Sequence, residues 1–600
     1  MYTKYMYDFL PVSKQDMEQR GWSQPDFVII TGDAYIDHPS FGTAIISRIL
    51  EARGYKVCVL AQPDWKRVND FKKFGRPRLG FLVNSGTVDS MVANYTASKK
   101  RRHDDALSPG GKGGMRPDRA VIIYTNRAKE AYKGIPVIIG GLEASLRRFS
   151  HYDYWDNKIR RSILLDSKAD ILIYGMGERA IVEIADSLND GFDPRDITWI
   201  DGTVVRTASK DVNREEGIVL PDYEKVKNDK DAFLKSFKLQ YENNDNISGK
   251  ALYEKYDNSI TVKQNKPQSP LATDEMDDIY LLPFMYDQHP VYKKEGGIPA
   301  LHEIKFSITA NRGCFGNCAF CAITNHQGKT VTARSKDSIV REAKRLTKLD
   351  DFKGYIHDIG GPTANFRSPS CKKQAKHGSC INKDCLYPEP CENLKIDHSD
   401  YLDILKTVRN LDGIKKVFIR SGIRYDYLIA DENTNFIEQL CKHHVSGTLK
   451  VAPEHVSHNV LSVMRKPRKE VYEDFKNLYI EENKRIDKKQ YLIPYFISAH
   501  PGATMKDAFE LAIYLKNSGF VPDQVQDFYP TPGTLSTAIY YAGKDPFTGD
   551  DIYVPKSKEE RKKQRALLQF NKAQNKKTVI DTLKEMGRND LINFFYGGRR

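Results

Sequence analysis

Three cysteines follow a strand-like run at residues 304–309 with the spacing Cys314-x3-Cys318-x2-Cys321, inside Arg312-Gly313-Cys314-Phe315-Gly316-Asn317-Cys318-Ala319-Phe320-Cys321. No other feature narrows the chain as much. Separations this short let three thiolates converge from one loop onto an iron-sulfur cube without an intervening helix. Three ligands for four irons leave one iron open to a substrate or cofactor, whereas a purely electron-carrying cubane normally has four cysteines. A structural zinc would need a fourth ligand, and His326 is the nearest candidate, at a spacing unlike the usual zinc motifs.

The loop needs strand ends to carry it, and the surrounding sequence supplies them. Runs at 304–309, 354–358, 416–420, 448–452, 491–497 and 524–528 read as six strands separated by helix-length segments. That pattern predicts a partial (βα)6 barrel of the TIM type over residues 297–540, with functional groups at the C-terminal strand ends. Residues 1–220 alternate in the same way. Strand-like runs at 27–31, 56–60, 79–84, 120–124, 137–140 and 171–174, with helical spacing at 41–54 and 179–188, predict a Rossmann-like parallel sheet. The fold class is therefore α/β. Residues 221–296 turn polar and read as a connection, and 541–600 read as a basic helical extension packed by Leu567, Leu568, Phe570 and Ile580. Within the first region, Lys99-Lys100-Arg101-Arg102-His103 and Gly110-Gly111-Lys112-Gly113-Gly114 predict a mobile basic loop.

With 600 residues, 40% of them hydrophobic, the chain can bury several cores, which excludes general disorder. No run approaches the 18 or so apolar residues of a membrane span. Lys4 and Asp8 interrupt the only apolar stretch near the start, so a secretory signal is not expected and the expected location is cytoplasmic. The thiols should then be reduced, and clustered ones point to metal. Cys58 and Cys441 stand alone and read as packed thiols. Cys371, Cys380, Cys385 and Cys391, near His377 and His398, form a second set in a polar insertion at 367–396. Zinc or a second iron-sulfur cluster could staple that insertion, and the irregular spacing does not choose between them. The two cysteine sets are expected on different strand-end loops, each assembling without the other.

The Cys314 segment, with the aromatic Phe320 before the third cysteine, closely resembles the signature of radical S-adenosylmethionine (SAM) enzymes. That resemblance implies a 4Fe-4S cluster on Cys314, Cys318 and Cys321 whose open iron chelates SAM, reductive cleavage to a 5′-deoxyadenosyl radical, and Phe320 beside the adenine. Asp358-Ile359-Gly360-Gly361-Pro362-Thr363 stands where that family has Gly-Gly-Glu, which implies that Gly360 and Gly361 bind the methionine amino group. Thr363 occupies the place of the glutamate. Ala452-Pro453-Glu454-His455, with Leu461, Met464 and Arg465, is similar to the segment of methylthiotransferase-like cores that contacts ribose and methionine, which implies a ribose role for Glu454. The turns at 498–504 and 529–534 resemble that branch as well. Together with residues 32–42 and 139–148, these segments make nearly the whole chain similar to the YgiQ-type radical SAM family, whose substrate is unassigned. The N-terminal region distantly resembles cobalamin-binding domains with Asp-x-His-x-x-Gly, but here His38 follows Asp37 directly, so cobalamin is not expected.

The net charge of +14 favours an anionic partner. RNA or protein modification is the expected class of reaction, with flavodoxin or ferredoxin as the kind of electron donor. The alternative is a non-enzymatic iron-sulfur or zinc protein that binds nucleic acid. No residue is singled out as a catalytic acid, base or nucleophile.

Overall fold

A computed structural model describes residues 8–212, 215, 217–523 and 525–597; Lys4, Gln524 and the last three residues fall outside that set. The chain divides into two compact units, one of Met1–Phe315, Ala322–Ile381 and Ser399–Ser421, the other of Gly316–Cys321, Asn382–His398 and Gly422–Arg600. The cysteine motif is shared: Cys314 belongs to the first and Cys318 and Cys321 to the second.

The first unit is built on a nine-stranded sheet. Its parallel part comprises β1 (Phe27–Thr31), β2 (Val57–Ala61), β3 (Gly80–Val83), β4 (Val137–Ile139) and β5 (Ile171–Ile173), in the spatial order β2-β1-β3-β4-β5. All five residues of β1 are buried because both faces are covered, as a parallel sheet requires. Phe27 and Ile29 face helices α1 (Gly42–Ala52) and α3 (Glu178–Asn189), while Val28 and Ile30 face α2 (Ala120–Ala131).

Residues 120–124, expected as a strand, are the start of α2. Buried positions 120, 121, 124, 125, 128 and 131 follow helical spacing, and a five-residue apolar run by itself fits either element. Residues 221–296, expected as a polar connection, supply two further strands to a sheet that already runs on through residues 203–219. β6 (Thr203–Ala208) continues the sheet beyond β5, and β7 (Gly217–Val219), β8 (Ala251–Lys255) and β9 (Ile260–Gln264) complete the order β5-β6-β9-β8-β7. The loop at 98–117 is irregular and is tied to the sheet domain at two points. Arg116 is fully buried, its guanidinium 3.0 Å from Asp33 and 2.6 Å from Asp105, and the Ala34 amide donates to Leu107.

The expected barrel strands are present as parallel pieces. In the first unit, β10 (Ser307–Thr309) pairs with β12 (Asp358–Gly360), and β11 (Tyr355–Ile356) pairs with β13 (Lys416–Val417). In the second unit, β14 (Thr448–Glu454), β15 (Tyr491–Ser498) and β16 (Gln526–Asp527) form one parallel sheet. Its core packs α4 (Met505–Asn517) through Phe509, Leu511 and Leu515 against Leu567, Leu568 and Phe570 of the C-terminal extension. No helix among the described residues is long and apolar enough to cross a membrane.

Candidate functional site

In the first unit, β10 leads through Asn311 and Arg312 to Cys314. Arg312 is buried and ion-paired with Glu178, the first residue of α3, and its guanidinium lies over the Tyr280 ring. Phe315 stacks on Phe366 with centroids 3.8 Å apart. The hydroxyl of Thr363 stands 3.4 Å from Cys314 Sγ. Thr363, which occupies the place of a glutamate, therefore faces the first cysteine of the motif. Gly360 and Gly361 precede it at the end of β12: a Cβ on Gly361 would lie 2.5 Å from the backbone oxygen of Asn311, and one on Gly360 would displace the Ser421 hydroxyl. The backbone is bare at this turn because neighbouring chain closes over it.

The second unit carries Cys318 and Cys321 on a turn closed by the Cys321 amide donating to Cys318 O at 3.0 Å. Arg424 Nη1 lies 3.4 Å from Cys318 Sγ, and its Nε donates to Asp426 at 2.8 Å. Arg424 holds the Asp426 carboxyl below the usual range against the effect of burial. Asn317 donates to Asp384, which is also 3.4 Å from Arg465 Nη1, so the insertion touches the cysteine loop itself. The Ala319 amide donates to Met464 O and its carbonyl accepts from the Ser536 amide. Phe320 packs edge-on to His500, 6.1 Å between centroids, beside Val460, Met464 and Ala503. His500 is pushed down to about 3 by burial, is therefore neutral, and shares a 2.7 Å hydrogen bond with Ser536.

Glu454 ends β14 at φ 71°, with Asn317, Arg465 and Ala499 also at positive φ in the same unit. Left-handed backbone at residues other than glycine is costly and concentrates at functional sites. Burial pushes the Glu454 carboxyl up, while Lys466 and Arg424 hold it down. Sequence reasoning missed Thr363, Arg424, Asp384 and Lys466 as site residues. Thr363 alone carried a signal, as a departure from a motif.

The remaining candidates are dispersed. Cys371 caps the helix Lys372–His377, its Sγ accepting from the Gln374 amide at 3.4 Å. Cys380 is exposed, and the Cys391 amide donates to Cys385 O. His377 is exposed; His398 is buried, 2.6 Å from Asp431. Among the described residues no three His, Cys, Asp or Glu side chains are grouped as a metal site, and no cysteine is in a disulfide. Burial pushes both Cys58 and Cys441 up to about 12, which leaves them as packed thiols. His326, pushed down to about 4 by burial, shares a hydrogen bond with Ser145. His38 is fully buried, accepts from the Ser40 amide, and packs edge-on to Phe41 and Tyr286.

Comparison with known proteins gives these residues a family context. A model of the radical SAM N-terminal region matches residues 9–307, and a domain of unknown function (DUF3362) matches 523–596. A UPF0313 protein of Clostridium perfringens is 57% identical over 584 residues, 97% of this chain and 88% of its own length. A UPF0313 protein of Clostridium botulinum is 54% identical over 586 residues, 98% of this chain and 90% of its own. Among solved structures, the radical SAM methyltransferase TsrM from Kitasatospora setae is similar at TM-score 0.47 and 13% identity, covering 86% of this chain and 75% of that one. The cobalamin-dependent SAM radical enzyme OxsB is similar at TM-score 0.49 and 10% identity, covering 96% and 73%. With more than half of its residues identical to those of the clostridial relatives over nearly its whole length, the chain belongs to the UPF0313 family of YgiQ-type radical SAM proteins.

Proposed function

We propose that this protein is a radical SAM enzyme whose 4Fe-4S cluster is held by Cys314, Cys318 and Cys321. The observation that carries the reading is that the sulfurs of Cys314 and Cys318 face polar partners, Thr363 Oγ1 and Arg424 Nη1, each 3.4 Å away. A buried structural thiol has no need of a cation, whereas a ligating thiolate is stabilised by such neighbours. Three thiols are a fitting donor set for iron-sulfur, and metal binding itself completes ligand convergence. The likeness of residues 358–363 to the Gly-Gly-Glu motif supports a backbone role for Gly360 and Gly361 toward the methionine amino group. When bound and reduced by one electron from a flavodoxin- or ferredoxin-type donor, cluster and SAM would supply a 5′-deoxyadenosyl radical.

The chain's own residues would hold and orient the cofactor. Phe320, fixed against His500, offers an apolar face for the adenine. Glu454, whose carboxyl is pushed up by burial and held down by Lys466 and Arg424, would accept from ribose hydroxyls. Arg312 and Glu178, buried and paired, would fix the stem of the cysteine loop. Three cations of the basic run in the C-terminal extension lend no support to an RNA substrate. Arg561 donates to Phe528 O, Lys563 pairs with Glu585, and Arg565 pairs with Asp527, so these cations are engaged within the chain.

Anaerobic reconstitution with iron and sulfide, then incubation with SAM and dithionite, tests the reading. The protein should yield 5′-deoxyadenosine, and alanine at Cys314, Cys318 or Cys321 should abolish it. Undiminished product from any of the three variants would refute the assignment.

A further inference from the structure

A cavity of about 450 Å³ lies in the first unit, outside the carboxyl ends of the parallel strands. Ile29 of β1, Val83 of β3, Ile139 of β4 and Ile173 of β5 are among its apolar wall residues. Its position follows from topology. The order β2-β1-β3-β4-β5 reverses direction at β1, and open α/β sheets bind ligands in the crevice that this reversal opens between β1 and β3. The volume is that of a small-molecule site.

Two glycines on the wall are not demanded by the fold. Gly42 starts α1, and a Cβ built on it meets no atom within 4 Å. Gly140 has extended backbone at φ −162°, and its Cβ would make only an ordinary contact, 3.5 Å from Ile173 O. Gly361, by contrast, has no room for a side chain. Glycine without steric cause lowers stability, and one of its uses is to let a ligand approach the backbone.

The charges on the wall identify the kind of ligand. Glu178 and Arg312 are its charged side chains among the described residues, and they neutralise each other. α1 runs for eleven residues with no capping side chain and no acid in its first turn, and Gly42 and Thr43 of that turn line the cavity. Its uncompensated N-terminus favours negative charge. Among the described residues Arg312, only 6% exposed, has no hydrogen-bond partner for Nη2, and its ion-pair partner Glu178 has none for Oε2, so the pair keeps one free donor and one free acceptor. We infer that this cavity binds a small organic molecule with an apolar, ring-sized body and one anionic group, the body against the strand-end isoleucines and the anion at the first turn of α1. The wall shares Arg312 and Gly361 with the proposed cofactor site, but the inference does not rest on the radical chemistry proposed there.

A matched pair of probes tests it on the full chain: 8-anilinonaphthalene-1-sulfonate, which joins apolar rings to one sulfonate, and N-phenyl-1-naphthylamine, the same rings uncharged. Binding is followed by fluorescence and its stoichiometry by calorimetry, on iron-free and reconstituted protein alike. The sulfonate should saturate one site per chain and bind roughly three- to tenfold more tightly than the neutral probe. Thr43→Asp, which suits a helix N-terminus but opposes an anion, should abolish that preference and leave the neutral probe unaffected. Ile46→Trp, which fills the cavity, should remove both. Should Ile46→Trp not fold, Gly42→Ala decides: its melting temperature should equal or exceed that of the wild type while both probes bind more weakly. Binding of both probes unchanged in the cavity variants, or a wild type that does not prefer the sulfonate, would overturn the inference. Binding to iron-free protein that makes no 5′-deoxyadenosine after reconstitution would refute the radical reading and leave the cavity assignment standing.

Discussion

Asp384 joins the cysteine-rich insertion to the loop that carries Cys318 and Cys321, so its removal should loosen a loop 67 residues away. Its carboxylate accepts from Asn317 Nδ2 and lies 3.4 Å from Arg465, in a pair whose side chains are 14% and 18% exposed. Asn317 sits at φ 47°, a conformation that the bond from its side chain helps to hold. A hydrogen bond to a charged acceptor contributes about 1.5–3 kcal/mol, and an ion pair at this depth adds about 1 kcal/mol. Asp384→Ala should therefore cost the closed loop about 3 kcal/mol, roughly a hundredfold in its closed-to-open ratio. Asp384→Asn keeps an accepting oxygen for Asn317 and loses the ion pair, so about a tenfold change or less is expected. Hydrogen exchange of the amides at residues 316–321, measured on iron-free protein, reads this ratio directly. Exchange in Asp384→Ala at the wild-type rate would show that the insertion does not hold the loop.

Thr363→Val keeps the side chain's shape and removes the hydroxyl 3.4 Å from Cys314 Sγ. The cluster should still assemble, with a reduction potential lower by a few tens of mV, about one neutral hydrogen bond; an unchanged potential in spectroelectrochemical titration would remove Thr363 from the site. Glu254 is fully buried, and burial pushes its carboxyl up to about 7, against hydrogen bonds from Ser150 and Tyr256 that hold it down. Its contribution is complete below its unfolded value of 4.5 and is lost as pH rises to about 7, so the unfolding free energy of Glu254→Gln minus that of the wild type should climb over that window by up to about 3 kcal/mol and then flatten. A pH-independent difference would refute the assignment. Replacing Cys380 and Cys385 together by Ser should make residues 367–396 protease-sensitive if the second set holds metal, and metal analysis of the wild type separates zinc from iron beyond one cluster; equal resistance, with no metal beyond the first cluster, would leave these as unligated thiols.

The parallel sheet was legible because β-branched runs such as Phe27–Thr31 are buried on both faces and end in turn residues, a pattern with few alternatives. Ala120–Tyr124 misled because an apolar run of that length satisfies either period, and its continuation to Ala128 and Ala131 had to be weighed with it. β8 and β9 were hidden for a different reason. Glu254 in β8 is fully buried with Ser150 and Tyr256 as partners, so a core position reads as a polar one, and the segment passes for a connection. In the basic loop at 98–117 the reading rested on Lys99–His103 and the glycines, and it left out Arg116, a buried tie between Asp33 and Asp105.

At the candidate site the cysteine motif could be picked out because thiols at that spacing have few uses, while the groups packed around its loop could not. Thr363, Arg424 and Asp384 reach the cysteine loop from 49, 106 and 67 residues away, through chain reversals that no local pattern encodes. This bears on the two cysteine sets. Read along the sequence they sit on different loops, each free to assemble without the other; in space Asp384, the neighbour of Cys385, binds Asn317 between the first and second cysteines of the motif. A metal that orders Cys385 and Cys391 would thereby fix Asp384, and through Asn317 the turn that presents Cys318 and Cys321. Order in the polar insertion would then lower the entropy lost when the first cluster assembles, which gives a loop too poor in apolar residues to fold by itself a reason to carry thiols.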